Sequence, residues 1–184
     1  MIKIAVIIGS TRPGRNGEAV GRWVHEIAKK RSDAEFELVD IKDFNLPLLD
    51  EVIPPSMGQY SQPHTKVWAA KIDAFDGYVF VTPEYNHGTS GALKNAIDYL
   101  YREWNNKAAG FVSYGSAGGA RGVEQLRLVM GELLVADVQT KEIRRFLVGP
   151  DGCEVTGITW TPDRRTMFVN IQHPGESPRD RNDP

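Results

Sequence analysis

Two hydrophobic rhythms alternate along the chain. Short, nearly continuous apolar runs predict strands buried on both faces, and longer stretches with apolar residues three and four apart predict helices. Residues 3–9, KIAVIIG, are the clearest run, and 35–41, 77–82 and 108–114 follow as strands two to four. Between them, 18–31 reads as a helix with Val20, Trp23, Val24 and Ile27 as its inward stripe. Residues 64–75 read as a second helix through Val67, Trp68, Ile72 and Phe75. A third is expected at 90–103, capped by Ser90 or Thr89, with Ala92, Leu93, Ala96, Ile97 and Leu100 facing inward. A fourth occupies 120–134, and a fifth strand is expected within 135–143.

Strictly alternating strands and helices predict a doubly wound α/β domain: an open parallel sheet between two helical layers, joined by right-handed crossovers. Ligands of such sheets sit at the carboxyl edge, where strand order reverses. The loops after strands one, three and four are the unusual ones here. The segment 42–62 carries Pro47, Pro54, Pro55 and Gly58 and reads as a long irregular loop, of the kind that shapes sites or moves.

The tail breaks the pattern. A domain of this kind wants a last helix after its fifth strand, yet 147–184 holds no helical period. Instead 153–160 and 166–171 read as two strands joined by a Pro–Asp turn. All nine lysines lie at or before Lys141, so composition also shifts near residue 146. The expected domain is 1–146, with an atypical hairpin-like tail at 147–184 whose last ten residues, GESPRDRNDP, are expected to be disordered. An uncovered sheet face costs stability at about 25 cal/mol per Å² of apolar surface. Lower stability is expected, or cover of that face by the tail hairpin or a partner subunit, and full exposure of Ile4 and Val138 would count against a stable fold.

Composition narrows the functions. Twenty-two basic and 24 acidic residues leave a net charge of −2, which gives no global field for nucleic acid or an anionic membrane. One cysteine, Cys153, excludes an intramolecular disulfide and a multi-thiolate metal site. The opening apolar run is too short to span a bilayer, so a cytoplasmic protein is expected.

Three loops carry the candidate chemistry. In GSTRPGRNG, 9–17, Gly9 permits a tight turn, Ser10, Thr11 and Asn16 offer donors, and Arg12 and Arg15 bring positive charge to a helix N-terminus. That combination reads as a phosphate cradle or as an ordinary polar turn. It is neither a Walker A loop nor a G-x-G-x-x-G fingerprint, and Asp40 is a weak candidate for a ribose. In TPEYNHGTSG, 82–91, backbone groups could read the edge of a flat heterocycle beside Tyr85, or Tyr85 and His87 are plain surface residues with Glu84 as a cap. In SYGSAGGARG, 113–122, small residues suit a flat ligand against backbone, and Arg121 either meets an anion or forms a surface salt bridge. The four histidines show no metal-binding spacing, so no metal is expected. No nucleophile–base–orienter set is apparent, so no catalytic side chain is assigned and a bound cofactor is expected to bring the chemistry.

With GSTRPGR at 9–15, PEYNHGTSGALKNAIDYL at 83–100 and SYGSAGG at 113–119 in that order, residues 1–145 resemble the NADPH-dependent FMN reductase family of quinone, azo and chromate reductases. The resemblance implies a flavodoxin-like three-layer α/β/α fold with a five-stranded parallel sheet in the order 2-1-3-4-5. It also implies FMN as cofactor and NADPH or NADH as hydride donor. Ser10, Thr11, Arg12, Arg15 and Asn16 would then lie on the FMN phosphate. Pro83, Glu84, Tyr85 and Asn86 would line the isoalloxazine, and Tyr114, Gly115, Ser116 and Gly118 would flank its other side. Arg15 or Arg121 could steer the nucleotide phosphates. The implied mechanism is ping-pong hydride transfer to a small-molecule acceptor. The implied assembly is a homodimer or homotetramer through helices three and four. Residues 149–176 resemble the C-terminal stretch of PhoX-type alkaline phosphatases, which are β-propellers; the stretch is shorter than a blade, and phosphatase activity is not carried over. A flavin-binding electron carrier or regulatory module is the competing non-enzymatic reading. A flavodoxin-like phosphatase is disfavoured because the first loop holds neither Cys nor Asp.

Overall fold

A computed structural model of the chain describes residues 1–134, 154–160 and 167–172. The four long apolar runs form strands β1 (Ile2–Ile8), β2 (Ala34–Asp40), β3 (Gly77–Pro83) and β4 (Ala108–Tyr114). They make one parallel sheet in the order β2-β1-β3-β4, paired Ile4 to Phe36 and Gly77, and Val81 to Val112. The helices are α1 (Gly17–Ala28), α2 (Pro63–Asp73), α3 (Gly91–Asp98) and α4 (Ala120–Leu134). Helix α1 covers one sheet face and the other three cover the opposite face, which is the flavodoxin-like three-layer arrangement. The fifth strand expected within 135–143 lies outside the described residues.

Alternation along β1 divides the core. Ala5 and Ile7 join the larger cluster with Trp68 and Ile72 of α2, Leu93 and Ile97 of α3, and Leu126 and Met130 of α4. Trp104, from a short 3-10 turn at Arg102–Trp104, fills its centre, with ring centroids 4.9 Å from Tyr78 and 5.9 Å from Phe80. Its indole and that of Trp68 donate to the carbonyls of Ile97 and Ala96 at 3.1 and 2.8 Å, so neither buries an unsatisfied N–H. Each such side chain contributes about 1.5–3 kcal/mol of burial.

The α1 face departs from expectation. Trp23 is 60% exposed and Ile27 49%, while Gly17 and Gly21 are the buried residues of the helix. A Cβ on Gly21 would stand 2.6 Å from the Ile8 side chain. The helix therefore docks through its glycines, close to the strand, and the stripe rotates away from Trp23. Val67 of α2 is likewise exposed. Helix α3 ends at Asp98, earlier than the expected 103, and a separate 3-10 turn follows. Ile4 is half-buried, and Val138 lies outside the described residues.

The 42–62 loop is tied down. The Asn95 amide donates to the Pro47 carbonyl (2.7 Å) and accepts from the Leu49 N–H (3.0 Å). Glu51 accepts from the amides of Ser61 and Gln62, at the start of α2, at 2.9 and 3.0 Å. Asp50 accepts from the Tyr99 hydroxyl at 2.9 Å and meets His64 at 3.0 Å.

Residues 143–184 form a separate unit. Within it, β5 (Glu154–Trp160) and β6 (Met167–Gln172) pair antiparallel, with a register shift between Val155 and Gly157.

Candidate functional site

Parallel strands put the ends of β1, β3 and β4 at one edge, and the three candidate loops meet there. The Gly9 amide donates to the Val81 carbonyl at 2.8 Å, holding the first loop against β3. Its missing Cβ would stand 2.7 Å from the Leu93 side chain and 3.1 Å from the Val81 carbonyl, so any other residue here would have to displace Leu93. Ser90 caps α3 by accepting from the Leu93 amide at 3.1 Å, and its hydroxyl donates to the Gly9 carbonyl. One serine thus caps a helix and fastens two loops.

The second loop is a two-residue hairpin. Tyr85 and Gly88 exchange backbone hydrogen bonds at 2.9 Å, and Asn86 and His87 between them have φ of 47° and 67°. This is a type I′ geometry, and Asn and His are among the non-glycine residues that tolerate it best. It raises Tyr85 over the first loop. The tyrosine hydroxyl lies 3.4 Å from Ser10 Oγ and accepts from Arg12 Nε at 3.3 Å. The Ser10 hydrogen bond and the Arg12 charge lower the Tyr85 pKa, against the effect of burial.

In the third loop Gly118 and Gly119 have φ of 66° and 75°. A Cβ on Gly119 would fall 2.5 Å from Ser113. Ser113 Oγ donates to the Gly118 carbonyl at 3.0 Å, and the Glu84 amide donates to the Tyr114 carbonyl at 2.9 Å.

The charged residues divide sharply. Arg15, with a side chain only 7% exposed, forks onto Asp40 and also donates to the Ser10 carbonyl. It fastens the first loop to β2, and that pairing is also the use the structure makes of Asp40. The Glu84 side chain is 4% exposed and turned inward. It accepts from the Arg121 amide at 3.1 Å and from Arg121 Nε at 2.7 Å, capping α4. Burial opposes its ionisation; Arg121 and the α4 amides outweigh this and hold the carboxyl below the usual range. Arg12 remains exposed, with no carboxylate partner among the described residues. Asn16 precedes α1 without bonding its amides through the side chain, so that helix N-terminus stays open.

Tyr114 was not recognised from sequence as part of the first loop's surroundings. A Cβ on Gly17 would stand 2.8 Å from its hydroxyl, which therefore lies over the first turn of α1. Ser10, Arg12, Tyr85 and Tyr114 thus converge on that turn. Pro83 ends β3, and Asn86 and His87 lie exposed at the hairpin tip. Gly115 packs on the Glu84 stem, where a Cβ would stand 3.0 Å from it. Ser116 is exposed.

This donor set fits a phosphate monoester: one unpaired guanidinium, hydroxyls and an uncapped helix N-terminus. The open space beside Gly118 suits a flat group against backbone. A family model for NADPH-dependent FMN reductase matches residues 2–143. The chain belongs to that family. An NAD(P)H-dependent FMN reductase, ntnL, of Nectria sp is 46% identical over 161 residues, covering 82% of this chain and 79% of that one. An NAD(P)H:quinone oxidoreductase of Solanum tuberosum is 37% identical over 134 residues, covering 70% and 67%. Among solved structures, the flavoenzyme NAD(P)H:(acceptor) oxidoreductase FerB of Paracoccus denitrificans superposes with a TM-score of 0.59 at 21% identity, covering 82% of this chain and 84% of that one. That likeness supports the fold. The resemblance of 149–176 to PhoX-type phosphatases gains no support from these relatives, and no activity is assigned to it. Among the described residues, no helix is long and apolar enough to cross a membrane and no cluster of three or more His, Cys, Asp or Glu could hold a metal ion.

Proposed function

We infer that the protein is an FMN-dependent NAD(P)H oxidoreductase acting on quinones, azo compounds, chromate or free flavin. The observation that carries this reading is the convergence of Arg12, Ser10, Tyr85 and Tyr114 on the open N-terminus of α1, in a chain of this family. Bound FMN would accept hydride from a nicotinamide and return electrons to a second substrate in ping-pong order.

The protein's own residues bind and orient. Arg12, Thr11, Asn16 and the α1 amides would hold the phosphate, with Ser10 and the Tyr85 and Tyr114 hydroxyls as neighbouring donors. The Tyr85–Gly88 hairpin and the Tyr114–Gly118 turn would form the two walls for the flat ring. Arg15 and Glu84 act as positioning residues, because their partners are Asp40 and Arg121. Their work is to keep three loops in register so that the donors point one way.

The reading extends to a cytoplasmic homodimer or homotetramer with α3 and α4 in its interface. A hollow of about 400 Å³ spans both helices, lined by Lys94, Ile97, Leu100, Tyr101 and Val129, and Leu128 is 76% exposed beside it.

The test is an absorbance spectrum after adding excess FMN and desalting, followed by anaerobic NADPH. Retained bands at roughly 370 and 450 nm that NADPH bleaches are expected. Retained bands that neither NADPH nor NADH bleaches would favour a binding module instead. No retained flavin in a folded sample would overturn the cofactor assignment.

A further inference from the structure

A second hollow of about 280 Å³ opens on the other side of Thr11, between the 3-10 turn Ile41–Phe44 that follows β2 and the first turns of α3. Its floor is apolar: Ile41, Ala92 and Ala96. Its rim carries Thr11, Lys42 and Asn45. Among the described residues none of these three side chains has a hydrogen-bond partner or an ion pair. Lys42 acts on Glu18 only through its field, while Glu18 itself pairs with Arg22 at 2.9 Å. Of the two carboxylates beside it in sequence, Asp40 is taken by Arg15, and the adjacent Asp43 forms no ion pair with it among the described residues.

The charge pattern is selective. Of the cations on the candidate loops and the turn after β2, Arg15 and Arg121 are spent on Asp40 and Glu84. Two remain without a carboxylate, Arg12 over the α1 N-terminus and Lys42 across Thr11 from it. The first suffices for one phosphate. An apolar floor with three free polar groups on its rim is the make-up of a site for a flat heterocycle that carries an anionic group.

On the reductase reading above, we propose that this hollow receives the adenosine end of the reductant, with Lys42 on the 2′-phosphate that separates NADPH from NADH. Ile41, Ala92 and Ala96 take the adenine face, Asn45 donates to the ribose and phosphate oxygens, and Thr11, whose proton goes to the FMN phosphate, accepts from a ribose hydroxyl. Lys42 is then a specificity-determining residue: it discriminates between two reductants and touches neither the flavin nor the reacting atoms. Lysine serves here as a point charge, so arginine in its place preserves recognition.

The test is calorimetric titration of the FMN-loaded protein with NADP⁺ and NAD⁺, for the native chain, Lys42→Gln and Lys42→Arg. The expected result is that Lys42→Gln lowers the NADP⁺ to NAD⁺ affinity ratio about tenfold and Lys42→Arg restores it; tenfold corresponds to about 1.4 kcal/mol. A ratio unchanged in Lys42→Gln overturns the proposal. Ala92→Leu, which fills the floor, is expected to weaken both nucleotides together while the flavin bands persist. Unchanged affinity for both in that variant also overturns it. If neither NADPH nor NADH bleaches the native flavoprotein, the reductase reading itself fails; if both do and the ratio is insensitive to Lys42, only the present assignment fails.

Discussion

At the residue scale, the site is a division of labour among five charged groups, Arg12, Arg15, Asp40, Glu84 and Arg121. Arg12 faces outward, so Arg12→Ala removes a charge-assisted contact worth about 1.5–3 kcal/mol and should weaken FMN retention by tenfold to a hundredfold, read by fluorescence quenching of added flavin. Arg15→Ala should act differently. It leaves Asp40 without its guanidinium and loosens the loop, so thermal stability falls along with affinity. The donor set of the first loop was legible in its sequence, because hydroxyls, arginines and a following helix are local. Which arginine is spent on a carboxylate was not legible, because the answer depends on Asp40, twenty-five positions away at the end of another strand. The same holds for Glu84, whose partner Arg121 lies beyond a whole helix and strand.

At the element scale, the alternation of the four sheet strands with helices was legible from apolar periodicity. The burial of α1 did not, because apolar spacing marks Trp23 and Ile27 while close approach marks Gly17 and Gly21. Glycine registers as weak helix former in a sequence and as contact surface only in three dimensions. Gly119→Ala should cost about 1–3 kcal/mol from its positive φ, with a further penalty from the clash at Ser113, and thermal unfolding monitored by circular dichroism will show it. The 42–62 loop was expected to be irregular, and its tethers give it a pH signature. Burial of Glu51 raises its pKa, but hydrogen bonds from Ser61 and Gln62 prevail and bring it to about 2 from 4.5. A carboxyl depressed in the folded state stabilises above its unfolded pKa. That contribution is complete above about pH 4.5 and is lost as the pH falls toward 2. Glu51→Gln should therefore lower stability at neutral pH and flatten the loss of stability between pH 4.5 and 2, measured by urea melts across that range.

At the scale of the whole molecule, ligand and fold are linked. Anything that binds only the native state raises its stability by RT ln(1 + [L]/Kd), about 2.7 kcal/mol at a hundred times Kd. Saturating FMN should thus raise the melting temperature of the native chain by several degrees and that of Arg12→Ala far less at equal concentration, as differential scanning fluorimetry will register. Quaternary structure has its own probe: Leu128→Asp on the exposed face of α4 should shift light-scattering mass toward the monomer. The fastening of loop to loop by Ser90 and of loop to helix by Glu84 has a kinetic meaning as well. These ties exist within the protein itself, so the arriving flavin finds its walls standing. Uptake should follow a single exponential whose rate climbs linearly with FMN concentration and does not level off, since no slow closure stands between encounter and capture.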